Sequence, residues 1–353
     1  MYKPDYGDSP SPLKEDEIPV FWACGNTIKE VLKHTKHPLS FTMYSDCMYL
    51  SDIPSDSESS AASKVITPDG EQPVVVDMVD DPYQASLVSE AVLQKLKQLQ
   101  NVLREGNVSI GTEEDGFMKN ILTLSHSSYI IVAVVLPHKK DNGYETNGFM
   151  GTLAMVNMLK AVGKEVTLVV DTESFLDITK IVEVLVQKGL LQESVNVVQF
   201  PDTTNSSSSA RDILTQSDGN TPRFDHLVMP IQTSDNDNRM CKQLFSAAKD
   251  LNVFTFQGSQ QCSSDVYGYA ITIALYLLGT CSIHDRYRRR GVGFPPSDSE
   301  LQVFKAALPS IKTVASVLAI LQTYGLICNT GTDHKPTYED PRSTIERLYS
   351  VLK

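Results

Sequence analysis

The sequence predicts an α/β protein, a mostly parallel sheet flanked by helices in three layers, with a helical C-terminal layer and a small separate N-terminal unit. Two observations carry this. The runs 129–136, 165–170, 195–200 and 226–230 are almost uniformly apolar and rich in β-branched residues, as strands buried on both faces of a parallel sheet are. Between them, 149–162 and 173–188 repeat apolar residues at helical spacing, and each closes on a glycine, Gly163 and Gly189, the residue that best adopts a helix C-cap.

Upstream, residues 1–17 are acidic and rich in Pro and Ser and read as a disordered tail; 18–54 read as a compact unit and 55–82 as a linker, within which VVVDMV at 74–79 suits a short strand. Residues 83–353 form the main domain. Leu87, Val88, Val92, Leu96, Leu99 and Leu103 recur every three to four residues and predict a helix from Pro82 to Arg104. The serine-rich 202–209 reads as a surface loop. Helices are expected at 237–250, 265–284, 299–306, 310–324 and 341–352.

With 31 basic and 43 acidic residues in 353, the net charge is −12, which argues against nucleic acid as a partner because neutralising phosphates requires a basic face. Six scattered cysteines form no CxxC or Cys/His motif, so neither a disulfide framework nor a structural zinc site is indicated, and a reducing compartment fits. No signal or transit pattern opens the chain, which by itself points to the cytoplasm. Tyr267 to Ile283 is at the lower length limit for a bilayer span and carries Gly and Thr; it reads as a buried core helix, so no membrane partner is expected. Arg286, Arg288, Arg289 and Arg290 follow where cations favour a helix C-terminus.

In open α/β sheets ligands sit outside the carboxyl ends of the strands, which directs attention to the loops there. Pro137 to Gly151 joins a strand to a helix and carries His138, Lys139, Lys140, Glu145, Asn147 and glycines Gly148 and Gly151, so its helix N-terminus offers amides to an anion, or it is a long solvated turn. Asp171 ends a strand and either contacts a ligand or caps the next helix. His226 opens a strand after Asp225 and is a base or a packed histidine. The segment 233–238, TSDNDN, offers oxygen ligands to a hard cation or is simply a turn.

The run ETNGFMGTLAMVNMLKAVGKEVTLVVD (145–171) resembles the signature of the C-terminal domain of D-glutamate cyclases, in which a Glu-Thr-Asp-Gly stretch and a glycine precede a helix and a Gly-Lys-led strand ending in aspartate. TPRFDHLV (221–228), DVYGYAITIALYLL (265–278), CSIHDRYRRRGVG (281–293) and ALPSIKTVASVLAILQTYGL (307–326) match later stretches in order, so the similarity covers about residues 85–352. PVFWACGNTIKEVL (19–32) and FTMYSDCMYLSDI (41–53) resemble the closing part of the hydro-lyase domain that precedes it in animal members, making 18–54 a remnant of that domain.

The resemblance implies a lyase that converts D-glutamate, a small amino-acid substrate, to 5-oxo-D-proline and water, with a mitochondrial location as in animal members. It implies a polar cleft in which Glu145 orients the amine or a metal, Asp171 assists and His226 is the base, with Gly148, Gly151 and Asp225 binding substrate. A divalent cation, Mn or Mg, is implied without a defined ligand set. Homo-oligomerisation stays open. The chain also departs from the family: Met43 and Cys47 stand where the family has histidines, Asn147 where it has aspartate, Ile231 and Gln232 where it has a Glu-Arg pair, and 229–266 is too short for its acidic glycine loop. A divergent paralog that retains the scaffold as a binding or assembly module is the alternative those departures leave.

Overall fold

The computed structural model describes residues 73–80, 83–105, 116–135, 149–201, 206–229, 239–257, 264–284, 296–324 and 341–352. The 18–54 unit, Glu145, Asn147, Gly148, the 233–238 loop and the arginines after Ile283 lie outside them.

Five parallel strands form the sheet: β3 (Tyr129–Val134), β4 (Glu165–Val170), β5 (Asn196–Gln199), β6 (His226–Met229) and β7 (Phe254–Gln257), in spatial order β5-β4-β3-β6-β7. Register is fixed by Ile130 opposite both Val166 and His226, and by His226 opposite Phe254. Parallel neighbours need crossovers, and helices supply them. α3 (Phe149–Ala161) joins β3 to β4, α4 (Phe175–Gln187) joins β4 to β5, α5 (Ser206–Leu214) joins β5 to β6, and α6 (Arg239–Asp250) joins β6 to β7.

Alternation along each strand builds two cores. Ile130, Val132 and Val134 of β3 enter one cluster with Leu168 and Val170 of β4 and Val228 of β6; Ile131, Ala133, Val169, Leu227 and Met229 enter the other. The first core packs against α3, α4 and the long helix α7 (Ser264–Thr280), and the second against α5 and α6. The expected three layers therefore form around strands that are apolar on both faces. The C-terminal helices α8 (Asp298–Ala307), α9 (Ile311–Thr323) and α10 (Pro341–Tyr349) extend the first core through Ala307, Val314 and Leu348. Residues 266–275 of α7 are buried throughout, as expected of a core helix, and no single helix among the described residues is long and apolar enough to cross a membrane.

The helix expected from Pro82 is divided. β1 (Pro73–Asp80) and β2 (Tyr83–Ser89) form an antiparallel hairpin, and α1 (Glu90–Glu105) starts only where the Ser89 hydroxyl accepts the Val92 amide. In β2 the buried positions Ser86 and Val88 follow a period of two, a signal that overlapped with the helical spacing of the leucines beyond it. Helix α2 (Gly116–His126) and strand β7 were absent from the sequence expectation. β7 has four residues, and its cue is Asn252, which ends α6 at φ 54° and turns the chain into the sheet. Residues 206–209 belong to α5 rather than to a loop; burial of Ala210 and Leu214 in the second core outweighs the weak helix preference of serine.

Candidate functional site

The sheet order reverses at β3: β4 and β5 lie on one side, β6 and β7 on the other. Such a reversal opens a crevice outside the carboxyl ends of the two diverging strands, here β3 and β6, because their following crossovers leave toward opposite faces. α3 indeed covers the first core and α6 the second. Residues 136–148, with Glu145 and Gly148, follow β3, and residues 230–238 follow β6.

Asp171 lies at this carboxyl edge, next to Val170, the last residue of β4. Its Oδ1 accepts the Ser174 amide at 2.8 Å, fixing the turn into α4; among the described residues Oδ2 accepts nothing. Thr172 braces the same turn by donating to the Phe200 carbonyl at 3.1 Å. The capping reading of Asp171 is thus the one this hydrogen bond shows. Asp171 also bears on the first turn of α6: burial, and secondarily the Asp171 charge, push the Cys241 thiol up to about 12.

Gly151 lies in the first turn of α3, yet its amide is already engaged, donating to Asp265 Oδ1 at 2.8 Å. Asp265 belongs to the first turn of α7 and is buried. A carboxylate at a helix N-terminus is stabilised by the helix dipole, so the chain's own side chain occupies the amide expected to bind substrate. Gly151 is instead the point where α7 crosses: a β-carbon there would stand 2.4 Å from the Asp265 carbonyl oxygen.

The structure does not bring Asp225 and His226 to this edge. Asp225 precedes β6, whose His226 is level with Ile130, whereas Val170 is level with Val134. Six residues of strand at about 3.3 Å each separate Asp225 from Asp171 by roughly 20 Å. The single pocket expected to gather Asp171 with Asp225 and His226 does not form; in a parallel sheet, residues opening one strand and ending another lie at opposite edges. Asp225 clamps the amino edge, accepting the Ser128 amide at 2.7 Å and the Tyr129 amide at 2.9 Å. His226 is fully buried, between the rings of Phe254 and Phe256. Its Nε2 is 3.4 Å from the Thr123 hydroxyl, and among the described residues no side-chain partner meets its Nδ1. Burial, opposed by a hydrogen bond to backbone and assisted by the Lys164 charge, pushes His226 down to about 3, so it is neutral at physiological pH.

The amino edge carries a cleft of about 1030 Å³, lined by Tyr129, Arg223, Lys160, Glu165 and Glu193 among others. It is wide and solvent-open, and Lys160 is paired there with Glu165 at 3.6 Å and Glu193 at 3.0 Å. Its size is less informative than the strand reversal, which lies at the opposite edge. Another buried polar group, Ser86 with His126 and His284, links β2, α2 and the segment after α7: the Ser86 hydroxyl is 2.9 Å from His126 Nε2 and 3.2 Å from His284 Nδ1, and His284 Nε2 is 2.9 Å from the Ser125 hydroxyl. Among the described residues no three His, Cys, Asp or Glu side chains gather as metal ligands. Asp265 was missed in the sequence; its cue is an acid in the first turn of a helix that follows a strand end.

The D-glutamate cyclase-like, C-terminal family matches residues 104–237, and the D-glutamate cyclase family matches residues 1–52. The chain is 27% identical to human "D-glutamate cyclase, mitochondrial" over 414 residues, an alignment that takes in 99% of this chain and 66% of the human protein. Over shorter stretches it is similar to bacterial proteins named as candidate hydro-lyases: 46% identity over 59 residues in Jannaschia sp. and 47% over 51 residues in Bradyrhizobium diazoefficiens, covering 22% and 18% of those proteins. The chain therefore spans less than two thirds of the length of each of these relatives. No solved structure matches.

Proposed function

We propose that this chain, which belongs to the D-glutamate cyclase-like family, acts as a hydro-lyase on D-glutamate at the carboxyl edge of its sheet. The strand reversal between β3 and β6 is the observation that supports the placement, since it sets the crevice at the end of β3, which the segment bearing Glu145 follows in sequence, and one strand away from Asp171. In this reaction the α-amine nitrogen attacks the γ-carboxyl carbon, a C–N bond forms, a C–O bond breaks, and water leaves with 5-oxo-D-proline. The amine must be held close to that carbon and unprotonated when it attacks.

Asp171 is assigned to holding the substrate amine through Oδ2, while Oδ1 keeps the side chain in place. Glu145, outside the described residues, is assigned to orienting and deprotonating the amine, and Gly148 to close backbone approach. Gly151, Asp225 and His226 are left out of the chemistry because their polar groups are engaged in the scaffold or enclosed within it. A mitochondrial location is proposed from the human relative's name alone.

The test is incubation of purified protein with D-glutamate, with and without added Mn²⁺ or Mg²⁺, and chromatographic detection of 5-oxoproline. Product from D- but not L-glutamate, lost in Glu145→Gln, supports the assignment. No product under any of these conditions leaves the chain as a binding or assembly module built on the same scaffold.

A further inference from the structure

Two helices begin at the carboxyl edge with their first turns in contact. α3 starts after the loop that follows β3, and α7 starts after the loop that follows β7. A β-carbon on Gly268 would stand 2.3 Å from the Gly151 carbonyl carbon, so the backbones meet with no side chain between them. Asp265 lies three residues before Gly268, 4% exposed, and accepts the Gly151 amide at 2.8 Å. One carboxylate therefore serves two helix N-termini: it satisfies an amide of α3 that has no intrahelical partner, and it supplies the negative charge that the first turn of its own helix favours.

We propose that Asp265 is a positioning residue of the carboxyl-edge site. By tying α7 to the first turn of α3, it fixes the helix end from which the β3 loop departs, and with it one wall of the crevice; its importance for ligand rests on the functional reading above. Gly151 and Gly268 bring the backbones close, but van der Waals contact alone lets two helices slide. A buried, charge-assisted hydrogen bond has one geometry and removes that freedom. Asp265 acts through α3 and touches no reacting atom.

The experiment uses the full-length chain and Asp265→Asn, which keeps side-chain size and removes the charge. Hydrogen exchange is followed by mass spectrometry in peptides covering the two halves of α3, and binding of 5-oxo-D-proline is titrated calorimetrically on both proteins. The expected result is exchange about tenfold faster at 149–153 with 157–161 unchanged, together with affinity weaker by about tenfold, the size of effect one charge-assisted hydrogen bond supports. Unchanged exchange at 149–153 overturns the proposal, as does a variant whose melting temperature falls while its affinity stays that of the wild type. If the wild type does not bind 5-oxo-D-proline or turn over D-glutamate, the functional reading fails separately, and exchange at 149–153 alone decides whether Asp265 positions α3.

Discussion

A β-carbon on Gly268 would lie 2.3 Å from the carbonyl carbon of Gly151, so α3 and α7 cross backbone against backbone. Neither backbone can yield as a flexible side chain would. Gly268→Ala is expected to destabilise the protein by about 1–3 kcal/mol, the usual range for overpacking. Gly279, in the same helix, faces the Val162 Cγ1 atom at 3.3 Å, a side chain that can shift. Gly279→Ala should therefore cost far less, offset by alanine's better helix propensity. Urea denaturation of both variants checks the difference.

His226 predicts a pH dependence of stability. Its folded value is depressed to about 3 from 6.5, so between those values the unfolded chain binds a proton that the folded one does not. Its contribution is constant above pH 6.5 and is lost progressively as pH falls toward 3. From pH 7 to pH 5 this amounts to about 2 kcal/mol, at roughly 1.4 kcal/mol per unit. His226→Leu should flatten the stability profile by that amount over the same interval; an unaltered profile would show that the imidazole is not enclosed as described.

Two lysines close together in sequence should behave differently. Lys164 is 4% exposed, and its ammonium donates to the Ser125 carbonyl at 2.5 Å and to the Ser127 carbonyl, where the C-terminus of α2 presents negative ends of peptide dipoles. Lys164→Met removes a charged donor from buried acceptors and should cost about 2–3 kcal/mol. Lys160 pairs with Glu165 and Glu193, whose side chains are 72% and 60% exposed, and Lys160→Met should cost about 0–1 kcal/mol. Thermal and chemical denaturation of the pair measure this.

The two aspartates at opposite edges separate structure from function. Asp225→Ala strands the Ser128 and Tyr129 amides and should lower stability by about 1–2 kcal/mol while the folded protein keeps the wild-type rate on D-glutamate. Asp171→Asn retains an acceptor for the Ser174 amide, so it should change stability by less than about 1 kcal/mol and lower kcat/KM at least about tenfold. Steady-state kinetics beside denaturation curves distinguish the two outcomes.

Much of the fold was legible because doubly buried strands such as YIIVAV and EVTLVV leave no choice of face, and the glycines at 163 and 189 end helices where φ turns positive, at 77° and 66°. β2 was hidden because Leu87 and Val88 also fit the spacing of the helix that follows. β7 was hidden by its length of four residues, since so short a run shows little periodicity. The candidate site was read less well. Local sequence indicates that Asp171 ends a strand and that Asp225 and His226 begin one, but polar residues at strand tips look alike until strand direction is applied to all of them together. Gly151 looked like an anion-binding glycine because the pattern that spares an amide for a ligand is also the pattern that admits a crossing helix.

The proposed ligand position is the carboxyl edge, in the crevice between β3 and β6. The most direct test is hydrogen exchange of the full-length chain with and without saturating 5-oxo-D-proline. Protection confined to peptides spanning 135–151 and 229–240 is the predicted result. Protection instead around 215–225 and 193–196, at the amino edge beside Arg223, would contradict it.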